Sequence, residues 1–279
     1  MIERARAAAD AGLDSLFIGD HHNVPVPYYQ NVPMLGRLLA EWDDRPAGAL
    51  FLLPLWHPVL LAEQIGTLAA IARGPFIIQC AIGGGDEQFR VFDAQLERRP
   101  SRFEACLDVV RRLSAGEEVS ADTPWKIDRA KIAPIPEEPI EVWIGAAAPK
   151  AIDRVARLGD AFLIGPEATP AEVPQLIATY RDACARHGTS SARIAIRRDI
   201  HVGHDDADVE KVAGPVLARG YRGFDPSAPV AGPVAKVVEA FGALRDMGCT
   251  DVIIRHLAED QAEVVKSFDR LAEVRTILG

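Results

Sequence analysis

A carboxylate and two imidazoles stand in a row at Asp20, His21 and His22, directly after the short apolar run Leu16-Phe17-Ile18-Gly19. An imidazole titrates near neutrality and acts as acid, base or hydrogen-bond donor, while an adjacent carboxylate can orient a neighbour. In parallel α/β proteins the residues just past the C-terminal end of a strand line the ligand crevice, so chemistry is expected at this position. Trp56-His57-Pro58 makes a second group, either walling a substrate pocket or forming a packing corner. Arg255-His256, after the last apolar run, is a third, suited to an anionic group or to a solvated ion pair. Ile82 precedes Gly83-Gly84-Gly85, where bare backbone allows close approach of a ligand or simply turns the chain. In Gly145-Ala146-Ala147-Ala148-Pro149-Lys150, small residues lead into a helix whose first amides suit a phosphate, with Lys150 adding charge. Tyr28 and Tyr29 belong to a loop able to cover the pocket.

These groups need strands to carry them. Residues 15–18 read as a buried strand after an Ala-rich helix bearing Ile2, Ala5, Ala9 and Leu13. Apolar runs predict further strands at 47–55, 76–81, 141–144, 161–164, 193–202 and 251–255. Helical spacing joins them: Leu60, Leu61, Ile65, Leu68 and Ile71 end at Gly74-Pro75, and residues 149–158 form another helix. Ser101 with Glu104, and Thr169 with Glu172, read as capping boxes. Residues 116–139 lose the rhythm and read as an irregular excursion. Strands alternating with helices, without a change of composition, predict one α/β domain over 1–279: a TIM-type (β/α)8 barrel with an irregular insertion near 116–140. No apolar run between 23 and 46 supplies an eighth strand, so the barrel is expected to lack its first strand in the chain as given.

With 48% hydrophobic and 25% charged residues the composition is that of a folded protein with a sizeable core. The net charge of −9 speaks against a nucleic-acid partner. Cys80, Cys106, Cys184 and Cys249 lie far apart in apolar segments, which predicts neither a disulfide frame nor a metal site. With no signal peptide and no long apolar span, a reduced, cytoplasmic protein without a membrane partner is expected.

Asp20-His21-His22, then Leu53-Pro54-Leu55-Trp56-His57-Pro58 leading into Leu61-Ala62-Glu63-Gln64, resembles the luciferase-like monooxygenases. Gly83-Gly84-Gly85 with Phe89-Arg90-Val91-Phe92, and Arg99 with Arg102-Phe103-Glu104, extend the likeness. So do Trp143-Ile144-Gly145-Ala146, Ala156-Arg157 and Gly159-Asp160, so that it covers almost the whole chain from residue 2 onward. The resemblance implies a flavin-dependent oxidoreductase or monooxygenase acting on a small organic substrate with FMN. A hydride-transferring enzyme using the 8-hydroxy-5-deazaflavin coenzyme is the alternative. The resemblance puts His21 beside the ring, and His22, Trp56 and Arg255 are the candidates for the substrate pocket. It also implies a non-prolyl cis peptide at Ala49-Leu50 supporting the ring from behind, and a phosphate near Ile82, Gly83, Gly145, Ala146, Ala147 and Lys150. Ile82 stands where flavin-using members often carry arginine, which shifts weight toward the deazaflavin branch. A homodimer is common in the family. Two rival readings are a barrel that binds flavin without turnover and a metal-dependent phosphoesterase built on Asp-His-His. The latter needs further upstream aspartates and a second histidine-aspartate cluster, but only 19 residues precede Asp20 and His204-Asp205-Asp206 is remote.

Overall fold

The computed structural model describes all residues, Met1–Gly279. In chain order the elements are α1 (Ile2–Asp10), β1 (Leu16–Ile18), α2 (Asn31–Leu38), β2 (Ala47–Leu52), α3 (Pro58–Ile71), β3 (Phe76–Ala81), α4 (Asp86–Val91) and α5 (Arg99–Ser114). Then come β4 (Val119–Ala121), β5 (Ile127–Ala130), β6 (Glu141–Gly145), α6 (Pro149–Leu158), β7 (Ala161–Ile164), α7 (Val173–His187) and β8 (Ile194–Gly203). The chain closes with α8 (Asp206–Val212), α9 (Gly214–Ala218), β9 (Val230–Pro233), α10 (Val234–Met247), β10 (Asp251–His256) and α11 (Gln261–Leu278). This is the alternating parallel α/β arrangement of the (β/α) barrel class, and each of the seven strands expected from the apolar runs is present. It divides into two compact units, Asp14–Trp143 and Met1–Leu13 with Ile144–Gly279.

In the first unit the strand order is β1-β2-β3-β6. Strands β2 and β3 are buried almost throughout, as expected of parallel strands covered on both faces. Their register is regular from Ala47↔Phe76 to Leu52↔Ala81. Close approach depends on Gly48, where a β-carbon would lie 1.9 Å from the Ile77 carbonyl oxygen. The predicted strand over 47–55 stops at Leu52, and Leu53–Leu55 turns as a short 3-10 segment. Pro54 has no N–H for a ladder, which is the physical reason for the stop. Residues 23–46 supply the helix α2 rather than a strand. Residues 116–139 are more ordered than expected, since β4 and β5 pair antiparallel there. Ser101 is no cap: α5 begins at Arg99, and the Ser101 hydroxyl donates to the Arg98 carbonyl.

The second unit carries α1 and the rest of the chain, with β7, β8 and β10 parallel and β9 beside the end of β8. Strand β9 carried no sequence signal, because its Val-Ala-Gly-Pro lacks an apolar run. Asp205 caps α8 by accepting from the Asp208 amide, and Asp260 caps α11 by accepting from Ala262 and Glu263. At 169–172 the glutamate half of the capping box forms: the Glu172 carboxylate accepts from the Thr169 amide and hydroxyl. Those bonds hold the Glu172 carboxyl below its usual range. No helix is long and apolar enough to cross a membrane. No disulfide joins the four cysteines, all of which are buried.

Candidate functional site

The three residues after β1 take different directions. Asp20 turns inward and is only 6% exposed. Its Oδ2 accepts from the Leu52 amide at 2.8 Å and from Trp56 Nε1 at 2.9 Å. One carboxylate therefore ties the end of β1 to the end of β2 and to the turn beyond it, through charge-assisted bonds. Its Oδ1 lies 3.1 Å from His22 Nε2, off the line of a directed hydrogen bond, and both atoms are buried. The His22 ring packs between Trp56 at 5.8 Å and Phe92 at 5.0 Å, centroid to centroid. His22 and Trp56 thus form a packed corner with Asp20.

His21 is exposed. Its ring meets Tyr28 edge to face at 5.7 Å, and Gln30 Nε2 donates to its carbonyl at 3.4 Å. Gln88, buried on α4, donates from Nε2 to the His22 carbonyl at 2.8 Å, and the same nitrogen is 3.5 Å from His21 Nδ1. The carbonyl only accepts, so it orients the carboxamide with nitrogen toward His21. Helix α4 can start there because Gly83 and Gly85 adopt φ of 69° and 90°, which side chains disfavour. A β-carbon on Gly85 would meet nothing within 4 Å, so this backbone is open to a ligand. Gln88 was not a sequence candidate; its only signal is its place three residues after the glycine run.

Strand alternation sorts the remaining residues of this unit. Phe17 pairs with Gly48, and Leu50 with Gln79, so Phe17, Gly48, Leu50, Ile77 and Gln79 share one face. On a flat sheet three strand spacings, about 14 Å, would separate β1 from β6. The Phe17 and Trp143 centroids are only 5.4 Å apart, so this face is concave. Leu50 sits on it half-buried, whereas Ala49 is fully buried on the opposite face. The expected cis peptide at Ala49-Leu50 is corrected by the structure, whose cis bonds are Thr123-Pro124 and Ala133-Pro134. The unbroken β2–β3 register through Leu52 leaves no bulge there, and Asn31 Nδ2 donates to the Leu50 carbonyl at 2.7 Å. Gln79, 6% exposed, has an amide nitrogen without any hydrogen-bond partner. An apolar side chain, an unmatched amide donor and open glycine backbone suit a flat, carbonyl-bearing aromatic ring.

In the second unit Gly145 ends β6 and Ala146 donates its amide to the Leu163 carbonyl at 3.4 Å. Ala147, Ala148 and Lys150 are exposed at the start of α6, which has no side-chain cap. Arg255 is exposed and registers beside Asp199 on β8. Asp199, 1% exposed, receives Arg197 Nε at 2.8 Å, Arg197 Nη2 at 2.9 Å and the Tyr221 hydroxyl at 2.7 Å. Burial, and then this bond to Asp199, push the Tyr221 hydroxyl up from its ordinary value. Sequence reading missed this group, because Tyr221 lies far from β8 along the chain. His256 is not available as a cationic anion binder: it is hydrogen-bonded with Ser267 at 3.0 Å, lies against Phe268, and burial lowers its pKa to about 3. No three His, Cys, Asp or Glu side chains converge as metal ligands.

A glucose-6-phosphate dehydrogenase of Nakamurella multipartita, named as F420-dependent, is 26% identical over 207 residues, covering 69% of this chain and 58% of that protein. The chain spans about half the length of the curated relatives it matches, 58% and 49% for two of them. Among solved structures, monooxygenase RslO1 from Streptomyces bottropensis superposes with a TM-score of 0.85 at 18% identity, over 99% of this chain and 93% of that one. An F420-dependent secondary alcohol dehydrogenase, solved with an F420-acetone adduct, gives 0.83 at 17% identity, over 100% and 94%. These likenesses establish the fold. The family model described as luciferase-like monooxygenase matches residues 1–270, and with that extent of agreement the chain belongs to the luciferase-like monooxygenase family.

Proposed function

We propose that this protein is an oxidoreductase working on a small organic substrate with a flavin-type tricyclic ring, the 5-deazaflavin coenzyme in preference to FMN. The observation that carries the reading is the exposed His21 at the end of β1, its imidazole backed by the buried Gln88 carboxamide. When bound, the ring supplies hydride transfer to or from a substrate carbon. His21 then gives or takes the proton at the substrate heteroatom, a role suited to imidazole. Leu50 and the Gly83–85 backbone would lie against the ring, and Asp20, through Leu52 and Trp56, holds the strand ends that carry them. In the second unit, taken by itself, the start of α6 with Ala146, Ala147 and Lys150 offers helix amides and a positive charge that suit an anionic group.

Two points support deazaflavin: by the family resemblance Ile82 stands where flavin-using members often carry arginine, and a curated relative is named as F420-dependent. The test is titration of the purified protein with each ring, followed by fluorescence and repeated with His21→Ala. Tighter binding of the deazaflavin, with turnover lost but binding kept in His21→Ala, is expected. Equal binding of FMN overturns the preference, and binding of neither ring overturns the reading.

A further inference from the structure

Gln79 is the one polar side chain that the concave face of the first unit buries and leaves unmatched. Its neighbours on β2 and along β3 are Leu50, Gly48, Ile77 and Ala81, none of which carries a side-chain acceptor, and on the β6 flank the Glu141 carboxylate accepts from Trp143 Nε1 at 2.7 Å. The residue is 6% exposed, and its Nε2 has no hydrogen-bond partner. A buried amide without an acceptor is unfavourable, and a leucine or methionine would fill the same volume without that cost. The core around it shows what such a filling looks like: Ile77, Phe51 and Cys80 are all buried and apolar. An unmatched donor two residues before the end of β3, close to the glycine turn, is therefore a group waiting for an acceptor that the protein does not supply.

We propose that Gln79 is a specificity-determining residue for the ring, its amide N–H donating to a carbonyl on the pyrimidinedione edge that flavins and deazaflavins share. This rests on the reading of the protein as a flavin-type oxidoreductase. The contact selects for a ring bearing carbonyl acceptors and against a wholly hydrocarbon or amine-edged aromatic, because only an acceptor satisfies the buried N–H. It also explains why a polar residue interrupts the otherwise apolar Phe-Ile-Ile-Gln-Cys-Ala strand. Gln79 acts at the ring edge and not at a phosphate, so its contribution separates experimentally from that of the ligand's tail.

The experiment compares wild type, Gln79→Met and Gln79→Glu. Methionine keeps the length without a donor, and glutamate keeps the shape with acceptors only. Dissociation constants for FMN, riboflavin and the deazaflavin are read by fluorescence, and thermal midpoints are read without ligand. Binding is expected to weaken about tenfold in both variants, by the same factor for FMN as for riboflavin, which lacks the phosphate. Gln79→Met is expected to raise the ligand-free midpoint, because it removes an unmatched donor. A folded variant binding FMN and the deazaflavin within twofold of wild type overturns the proposal and leaves the general reading standing. A loss seen with FMN but not with riboflavin also overturns it, since the contact would then lie at the tail. Failure of wild type to bind any of the three overturns both.

Discussion

Asp20 and His21 are adjacent, yet one is spent on holding the structure and the other faces outward, and their substitutions should separate accordingly. Asp20→Ala leaves the buried Leu52 amide and Trp56 Nε1 without their acceptor. At about 1–3 kcal/mol for each orphaned group, urea denaturation should show a loss of about 3 kcal/mol, with Trp56 fluorescence changing in the folded state. His21→Ala removes an exposed ring, so stability should stay within about 0.5 kcal/mol of wild type. Turnover with the preferred ring should nevertheless fall about 100-fold or more, the range for loss of a general acid or base. Unchanged turnover in His21→Ala would remove this residue from the chemistry.

Packing between elements makes two further predictions. Gly48 lets β2 lie close to β3, and a β-carbon there would collide with the Ile77 carbonyl oxygen and approach Phe17 at 3.0 Å. Neither neighbour is a flexible end, so Gly48→Ala should cost about 3 kcal/mol by denaturant midpoint, the upper range for overpacking. Where β10 meets α11, His256 is buried against Ser267 and Phe268 and remains neutral down to about pH 3. Burial is the main cause, with Arg4 opposing the proton further and His201 adding to it. The facing carboxylates Asp208 and Glu263 pull His201 the other way, but its own burial wins and lowers it too. The unfolded imidazole takes a proton near pH 6.5 and the folded one does not, so stability contributed above that value is lost as pH falls toward 3. At pH 5 the loss from His256 alone is about 2 kcal/mol, and His256→Gln should flatten the acid limb of a stability–pH profile.

Across the whole molecule, ligand linkage offers a check that needs no substrate. A ring bound to the native chain at 100 times its Kd adds about 2.7 kcal/mol, which for a chain of this size raises Tm by roughly 5 °C. A deazaflavin that leaves Tm unmoved at that excess would contradict the proposed function. Much of the architecture was legible beforehand. The apolar runs located β1, β2, β3, β6, β7, β8 and β10, and Gly74-Pro75 and Pro149 marked helix limits, because periodicity and backbone restrictions act over a few residues. The sequence by itself thus determined the alternation of strands and helices and placed His21 at a strand end. It did not reveal which way each neighbour faces. That Asp20 reaches Leu52, that Gln88 comes back to His21 and His22, and that Tyr221 meets Asp199 depend on partners distant along the chain. The Ala49-Leu50 bond likewise follows the ladder made with β3 rather than its own residue types. Only the tertiary structure decides these, because a hydrogen bond requires its acceptor within about 3 Å, and that proximity is created by folding and not by local propensity.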